Sequence, residues 1–223
     1  MCGRFTLTVS AEEILAEFGP LELGESYERH YNIAPQQPVL VVGRGRDGRS
    51  RSGQLRWGLV PWWASDASIG NRLINARSET LTRKPAFREA YASRRCVIVA
   101  DGFYEWAARD GVKVPYRIRL PDGRPFGFAG LWECWRGGDG PPLYTCTIVT
   151  TRAAAAIREL HDRMPVLLDA AARDAWLGSD LTQAAGVLRP YEGELDAYAV
   201  STAVNRVAND RPDLIEPVEP SMR

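Results

Sequence analysis

Lysine and histidine are both scarce: the 223 residues include only Lys84 and Lys113, and only His30 and His161. With two histidines and no CxxC pair, a zinc site has too few ligands at workable spacing, and no metal is expected. The four cysteines, Cys2, Cys96, Cys134 and Cys146, stand 94, 38 and 12 positions apart. In a reducing compartment such thiols do not pair. Three of them lie in apolar, strand-like context, where a thiol packs as a small core residue; Cys2 does not. No apolar run reaches the roughly 18–20 residues of a membrane helix, and the first ten residues lack the basic-then-apolar order of a signal peptide. A cytoplasmic protein with no membrane anchor is therefore expected.

Net charge is also lacking, since 28 basic residues balance 28 acidic ones, which excludes a generic polybasic nucleic-acid binder. The distribution is uneven, however. Residues 44–95 hold twelve Arg or Lys against four acids, and almost all the cations are arginine, the better bidentate partner for phosphate. A GC-rich genome produces the same arginine bias, so this composition permits a nucleic-acid surface without establishing one.

What is present is a chain with 45% apolar, 25% charged and 9% aromatic residues, in the range of ordinary globular proteins. Ser10-Ala11-Glu12-Glu13 reads as a capping box ahead of a short helix that Gly19-Pro20 ends. Residues 38–42 and 54–59 read as two strands around an Arg/Gly hairpin tip. Residues 64–70 read as a loop, 72–77 as extended, and 78–91 as a helix that Pro85 divides. Further strands are expected at 96–100, 103–107, 114–120, 126–135 and 143–150, with Asp101-Gly102 as a hairpin turn signal. A helix near 152–160, a short strand at 166–168 and helices near 170–177 and 181–188 complete the pattern. About eight strands with scattered helices predict an α+β fold, a single domain over 1–223 with a mostly antiparallel, barrel-like sheet.

Several groups of residues carry possible chemistry. Removal of the initiator methionine before Cys2 would leave an α-amine and a thiol on one residue, with reference pKa values of about 7.7–8.0 and 8.5. Such an aminothiol condenses with an aldehyde to a Schiff base that the thiol closes to a thiazolidine; equally, it can serve as an N-terminal nucleophile toward amides. His161, in His161-Asp162-Arg163-Met164-Pro165, stands between a helix and a strand. It is either a helix-terminal histidine favoured by the dipole or an acid-base group, with Arg163 beside it for a phosphate. In Asp101-Gly102-Phe103-Tyr104-Glu105-Trp106, Glu105 shares a sheet face with Phe103. Facing outward, Glu105 is an ordinary solvated carboxylate; facing inward, its burial needs a purpose such as acid-base work. Asn75 and Arg77 likewise share a face. Trp57, Trp62 and Trp63 crowd seven positions, and core packing accounts for one or two of them; a Pro-Trp-Trp leaving a strand also suits base stacking or a DNA wedge.

Taken in order, Met1-Cys2-Gly3-Arg4-Phe5, Tyr31-Asn32-Ile33-Ala34-Pro35, Trp57-Gly58 with Pro61-Trp62-Trp63, Asn75-Ala76-Arg77-Ser78-Glu79, the segment 101–106 and the segment 161–165 closely resemble the SRAP family. These are the SOS response-associated peptidase-like, abasic site processing proteins. The likeness spans nearly the whole chain, to Val204-Asn205 and on to Pro217. It implies a self-processed Cys2 that attacks the open aldehyde of an abasic deoxyribose, chiefly in single-stranded DNA, and forms a stable thiazolidine crosslink that protects the lesion from strand cleavage. By the same resemblance Glu105 assists sugar opening, His161 moves protons in the Schiff-base and reversal steps, and Asn75 positions amine and sugar. Arg4, Asn32, Trp62, Trp63, Arg77 and Arg163 match positions that hold phosphates or separate bases. No cofactor is implied, and a monomer that joins the nucleoid only when bound to DNA is expected. The alternatives are a cysteine peptidase acting on other proteins and a reader that binds modified DNA without reacting.

Overall fold

Ser10 opens the first helix as its sequence requires: its hydroxyl accepts from the Glu13 amide at 3.3 Å, and the Glu13 carboxylate accepts from the Ser10 amide at 2.7 Å. Gly19, at φ +81°, ends it. The computed structural model of the protein describes residues 2–23, 27–45, 47–109, 111–138 and 140–219. Met1, part of the first motif, and Arg46 at the hairpin tip lie outside the described residues.

In chain order the elements are β1 (Phe5–Leu7), α1 (Ala11–Phe18), β2 (His30–Ile33), β3 (Pro38–Arg44), β4 (Ser50–Trp57), β5 (Asn75–Arg77), α2 (Arg88–Ser93), β6 (Arg95–Ala100), β7 (Gly102–Arg109), β8 (Val112–Arg119), β9 (Phe126–Trp135), β10 (Leu143–Arg152), β11 (Arg163–Pro165), β12 (Leu167–Leu168), α3 (Ala170–Leu177), α4 (Leu181–Gly186) and β13 (Asp196–Ala199). Strands β10, β4, β3, β6 and β9 pair successively, and β9 pairs with β10 again, so these five close into a barrel. Four antiparallel pairings bring the strand direction back to where it began; a ring of five therefore closes only through a parallel pair. That pair is β4 with β10, where Arg56 meets Thr145 and Trp57 meets Cys146. β5 and β11 extend the barrel sheet along β10, and β12 along β9.

A second sheet runs β13-β8-β7-β1-β2. Its Phe5 and Phe103 project into the barrel core, where Phe5 packs edge-on to Trp57 and Phe128 at centroid distances of 5.2 and 5.6 Å. The opposite face of this sheet buries Tyr104 under Val200, Val204 and Leu214. The expected α+β architecture with a mostly antiparallel barrel is what the chain forms.

Some local expectations are corrected. Asp101-Gly102 is not a hairpin turn, because β6 belongs to the barrel and β7 to the second sheet; the chain changes sheets there. The helix expected near 152–160 is only a short 3-10 turn at Ala155–Ile157, since Thr150, Thr151 and Arg152 are taken into the ladder with β11. The loop expected over 64–70 ends in a 3-10 helix, Ala67–Asn71, capped by the Asp66 carboxylate. The divided helix at 78–91 keeps its α-helical part only from Arg88 to Ser93, preceded by a 3-10 turn at Ser78–Thr80.

Candidate active site

Cys2 enters just before β1, which pairs with β7 and thereby fixes the first residues against the strand that carries Glu105. The residue is wholly buried. Its thiol points toward the Arg4 carbonyl oxygen at 3.8 Å, and its own carbonyl oxygen accepts from Asn75 Nδ2 at 2.8 Å. Asn75 comes from β5, held parallel to β10 through the Asn75 and Ile148 register. The second sheet thus supplies Cys2 and Glu105, and the barrel extension supplies Asn75.

Glu105 faces inward with 3% exposure, so the inward reading of its strand is the one realised. Burial pushes its carboxyl above the ordinary range, and the nearby His161 pulls in the opposite direction. His161 Nε2 stands 4.0 Å from Glu105 Oε2. It reaches there from the entry to β11, on the barrel side. The Arg163 amide donates to His161 Nδ1 at 2.9 Å, and Asp162 Oδ1 is 3.1 Å from the same nitrogen. The Cys2 thiol is held far above its usual pKa, first by burial and then by the field of Glu105. A thiol in that setting is protonated and needs a base to act. Among the described residues, no three His, Cys, Asp or Glu side chains gather where a metal could sit.

The cations divide into two kinds. Arg77 and the indoles Trp62 and Trp63 are exposed, the last two at 55% and 46%. The Trp62 indole donates to Glu89 Oε2 at 2.8 Å. Trp57, by contrast, is wholly buried. Arg4 is half-buried and donates to Asn32 Oδ1 at 2.8 Å and to the Val204 carbonyl at 2.7 Å. Arg163 is clamped by Glu79, whose Oε2 lies 3.0 Å from Nη2, and also donates to the Thr150 carbonyl at 2.8 Å; this hold draws the Glu79 carboxyl down to about 2. Asn32, expected at the DNA, lies beneath the surface. It is 1% exposed, and its Nδ2 is spent on the carbonyls of Val204, Arg206 and Asn209, so it supports Arg4 from beneath.

Two acids outside the expected site residues each hold an arginine, Asp101 holding Arg117 and Glu79 holding Arg163. Asp101 accepts from the Thr8 and Val9 amides at 2.6 and 3.1 Å and faces Arg117 at 3.2 Å, with both charges almost fully buried. Glu79 sits two positions after Arg77, and an acid flanked by motif residues was the only signal for it. Asp101 carried none beyond its turn-like dipeptide.

Residues 1–207 match the family described as SOS response associated peptidase (SRAP). The chain is 45% identical to abasic site processing protein YoqW of Bacillus subtilis over 97% of this chain and 99% of that one. It is 34% identical to abasic site processing protein HMCES of Gallus gallus, over 86% of this chain and 67% of the other. Two crystal structures share the fold: a Bacteroides thetaiotaomicron protein with TM-score 0.86 and 22% identity, covering 98% of this chain and 100% of that one, and a Bordetella bronchiseptica protein with TM-score 0.78 and 29% identity, covering 90% and 100%.

Proposed function

The chain belongs to the SRAP family, and from that membership together with its buried Cys2 and Glu105 and the partly buried Asn75 and His161 beside them we propose that it processes abasic sites in DNA by covalent capture through Cys2. The observation that carries the reading is convergence: residues from four distant motifs meet where Asn75 grips the Cys2 carbonyl and His161 faces Glu105. A nucleophile, an amide to orient it and an acid-base pair are the parts that condensation with a sugar aldehyde requires.

While Met1 is attached, the Cys2 nitrogen is an amide without a nucleophilic lone pair, so the first residue must leave before reaction. Glu105, whose raised pKa keeps a larger protonated fraction toward neutrality, gives its proton to the ring oxygen of the closed deoxyribose while the C1′ hydroxyl gives up its own proton to water, freeing the C1′ aldehyde. The Cys2 amine adds to that carbon, and the carbinolamine loses water to give an imine. The thiol sulfur then adds to the imine carbon as its proton passes, by way of a base, to the imine nitrogen, closing a thiazolidine with no net oxidation. His161 is placed to move protons in closure and in its reversal. The exposed Arg77, Trp62 and Trp63 take the phosphates and bases of a single strand around the lesion; Arg4 and Arg163, already engaged within the protein, shape the floor beneath it.

Intact mass spectrometry with a uracil-excised oligonucleotide tests the proposal. One adduct per protein, short by the mass of one water and of Met1, is expected, and Cys2→Ser should leave only a hydrolysable imine. A stable, unreduced adduct at wild-type yield from Cys2→Ser overturns the thiazolidine route. Repeated cleavage of added peptides without adduct formation would point instead to a peptidase acting in trans, and unimpaired binding to lesion DNA with a blocked amino terminus to a non-covalent reader.

A further inference from the structure

Side chains on paired strands alternate between faces, so the registers define which residues look into the barrel. Val41 pairs with Gly53 and with Ile98, Cys96 with Gly130, Trp132 with Cys146, and Cys134 with Tyr144. The inward row therefore runs from a filled end, where Trp57, Phe128 and Ile148 are wholly buried under Phe5, to the opposite mouth formed by Gly43, Gly53 and Tyr144. This second mouth is not filled. A cavity of about 380 Å³ opens there, lined by Val41, Leu55, Cys96, Trp132 and Tyr144 and rimmed by Arg44 and Arg51. That volume lies within the range of small-molecule sites, and barrel mouths are a usual place for them.

The glycines are telling. At Gly130 a Cβ would crowd the Cys96 sulfur at 3.0 Å, so packing forbids a side chain. At Gly43 and Gly53 a Cβ would meet nothing within 4 Å. Glycine inside a strand weakens it and often marks close approach of a ligand; here two glycines face each other's strands around empty space instead of closing it. Trp132 and Tyr144 stand at the mouth with ring centroids 6.3 Å apart, and Tyr144 is 46% exposed. At the rim, Arg44 spends Nη2 on Asp174 and Arg51 spends Nη2 on Asp47, at 2.9 and 3.1 Å. These are solvated pairs of the kind that contributes little and exchanges readily.

We propose that this mouth binds a small amphipathic anion, its apolar body in the barrel beside Trp132 and its carboxylate on Arg51, which pairs with Gly43 and shares its face, whereas Arg44 faces the other way, toward Asp174. A fully apolar ligand would leave the Arg51 guanidinium unused, and a hydrophilic one would meet walls made mainly of Val41, Leu55, Cys96 and the rings of Trp132 and Tyr144. The site lies at the barrel end away from Cys2 and requires no DNA.

The test uses the full chain with 8-anilinonaphthalene-1-sulfonate as fluorescent probe and decanoate as competitor. Saturable one-to-one dye binding is expected, with displacement by decanoate about tenfold better than by decanol, a difference of one charge-assisted contact. Gly53→Leu should fill the space and abolish binding while leaving the rate of DNA capture unchanged, and Arg51→Ala should remove the preference for decanoate over decanol. Dye binding unaffected by Gly53→Leu, or equal displacement by decanol and decanoate in the unsubstituted protein, overturns the site. Should Gly53→Leu fail to fold, amide and indole shifts in the unsubstituted protein decide: decanoate must perturb Gly43, Gly53 and the Trp132 indole, and their silence overturns the site equally.

Discussion

Glu105 sits at 3% exposure on a strand whose inward neighbours are Phe103 and Ala107, and ionising it there costs free energy that the rest of the fold must supply. Because its pKa is raised by burial, the folded chain holds its proton over a pH interval in which the unfolded chain has lost it. Stability contributed by this residue is therefore present below the unfolded carboxylate pKa and is lost as pH rises through the folded one. Glu105→Gln should accordingly raise the melting temperature at pH 7, by roughly 2–4 °C for each kcal/mol relieved, and leave it nearly unchanged at pH 4; calorimetry at the two pH values checks this. The same substitution should slow DNA capture by about 10²–10⁴-fold, the usual loss of a general acid or base. A stabilised but slowed variant is the signature of a side chain retained for chemistry, whereas a destabilised one would mark it as structural. If Glu105 serves ring opening, most of the kinetic loss should disappear with an oligonucleotide carrying an already open aldehyde.

Between β6 and β7 the chain leaves the barrel for the second sheet, and Asp101 is the residue at the crossing. It ties the β1 end, through the Thr8 and Val9 amides, to Arg117 of β8. Asp101→Ala would leave Arg117, with a side chain 4% exposed, without its counter-charge. Removing one member of a buried pair costs about 3–5 kcal/mol, so the urea midpoint should fall sharply, and Asp101→Asn should recover only part of the loss. This junction also shows what was readable beforehand. The capping box at Ser10, the hairpin of β3 and β4, and the helices at α3 and α4 rest on contacts within a few residues, and local patterning revealed them. Asp-Gly marks a tight turn whether the next strand pairs with the previous one or departs, so local chemistry could not distinguish the two. β2 and β13 went unseen because each has four residues with mixed exposure, too short for an alternating signal. Glu105 was found with its orientation left open, since two-residue periodicity sets a face but not which face is covered. A motif position such as that of Asn32 shows that a residue matters without showing whether it touches the ligand or holds the residue that does.

Across the whole molecule, the even charge balance and the exposed Arg77 predict a binding surface that depends on a few cations. Arg77→Ala should weaken association with single-stranded DNA across sequences and lower the salt slope by about 0.7 for each lost phosphate contact. Arg163→Ala should change that slope less, because its guanidinium is already clamped by Glu79, and should instead lower thermal stability; titrations at several salt concentrations separate the two. The contact from Arg4 to the Val204 carbonyl spans 200 positions, and Asn32 reaches 177 positions to Asn209. During synthesis Arg4, two residues from Cys2, leaves the ribosome well ahead of the segment that steadies it, which is made 200 positions later. Until that segment emerges, the surroundings of Cys2 are incomplete. A ribosome-stalled chain halted before Val204 should expose Cys2 to a maleimide that the released protein resists, so that the shelter of Cys2 is conferred by a distant part of the chain.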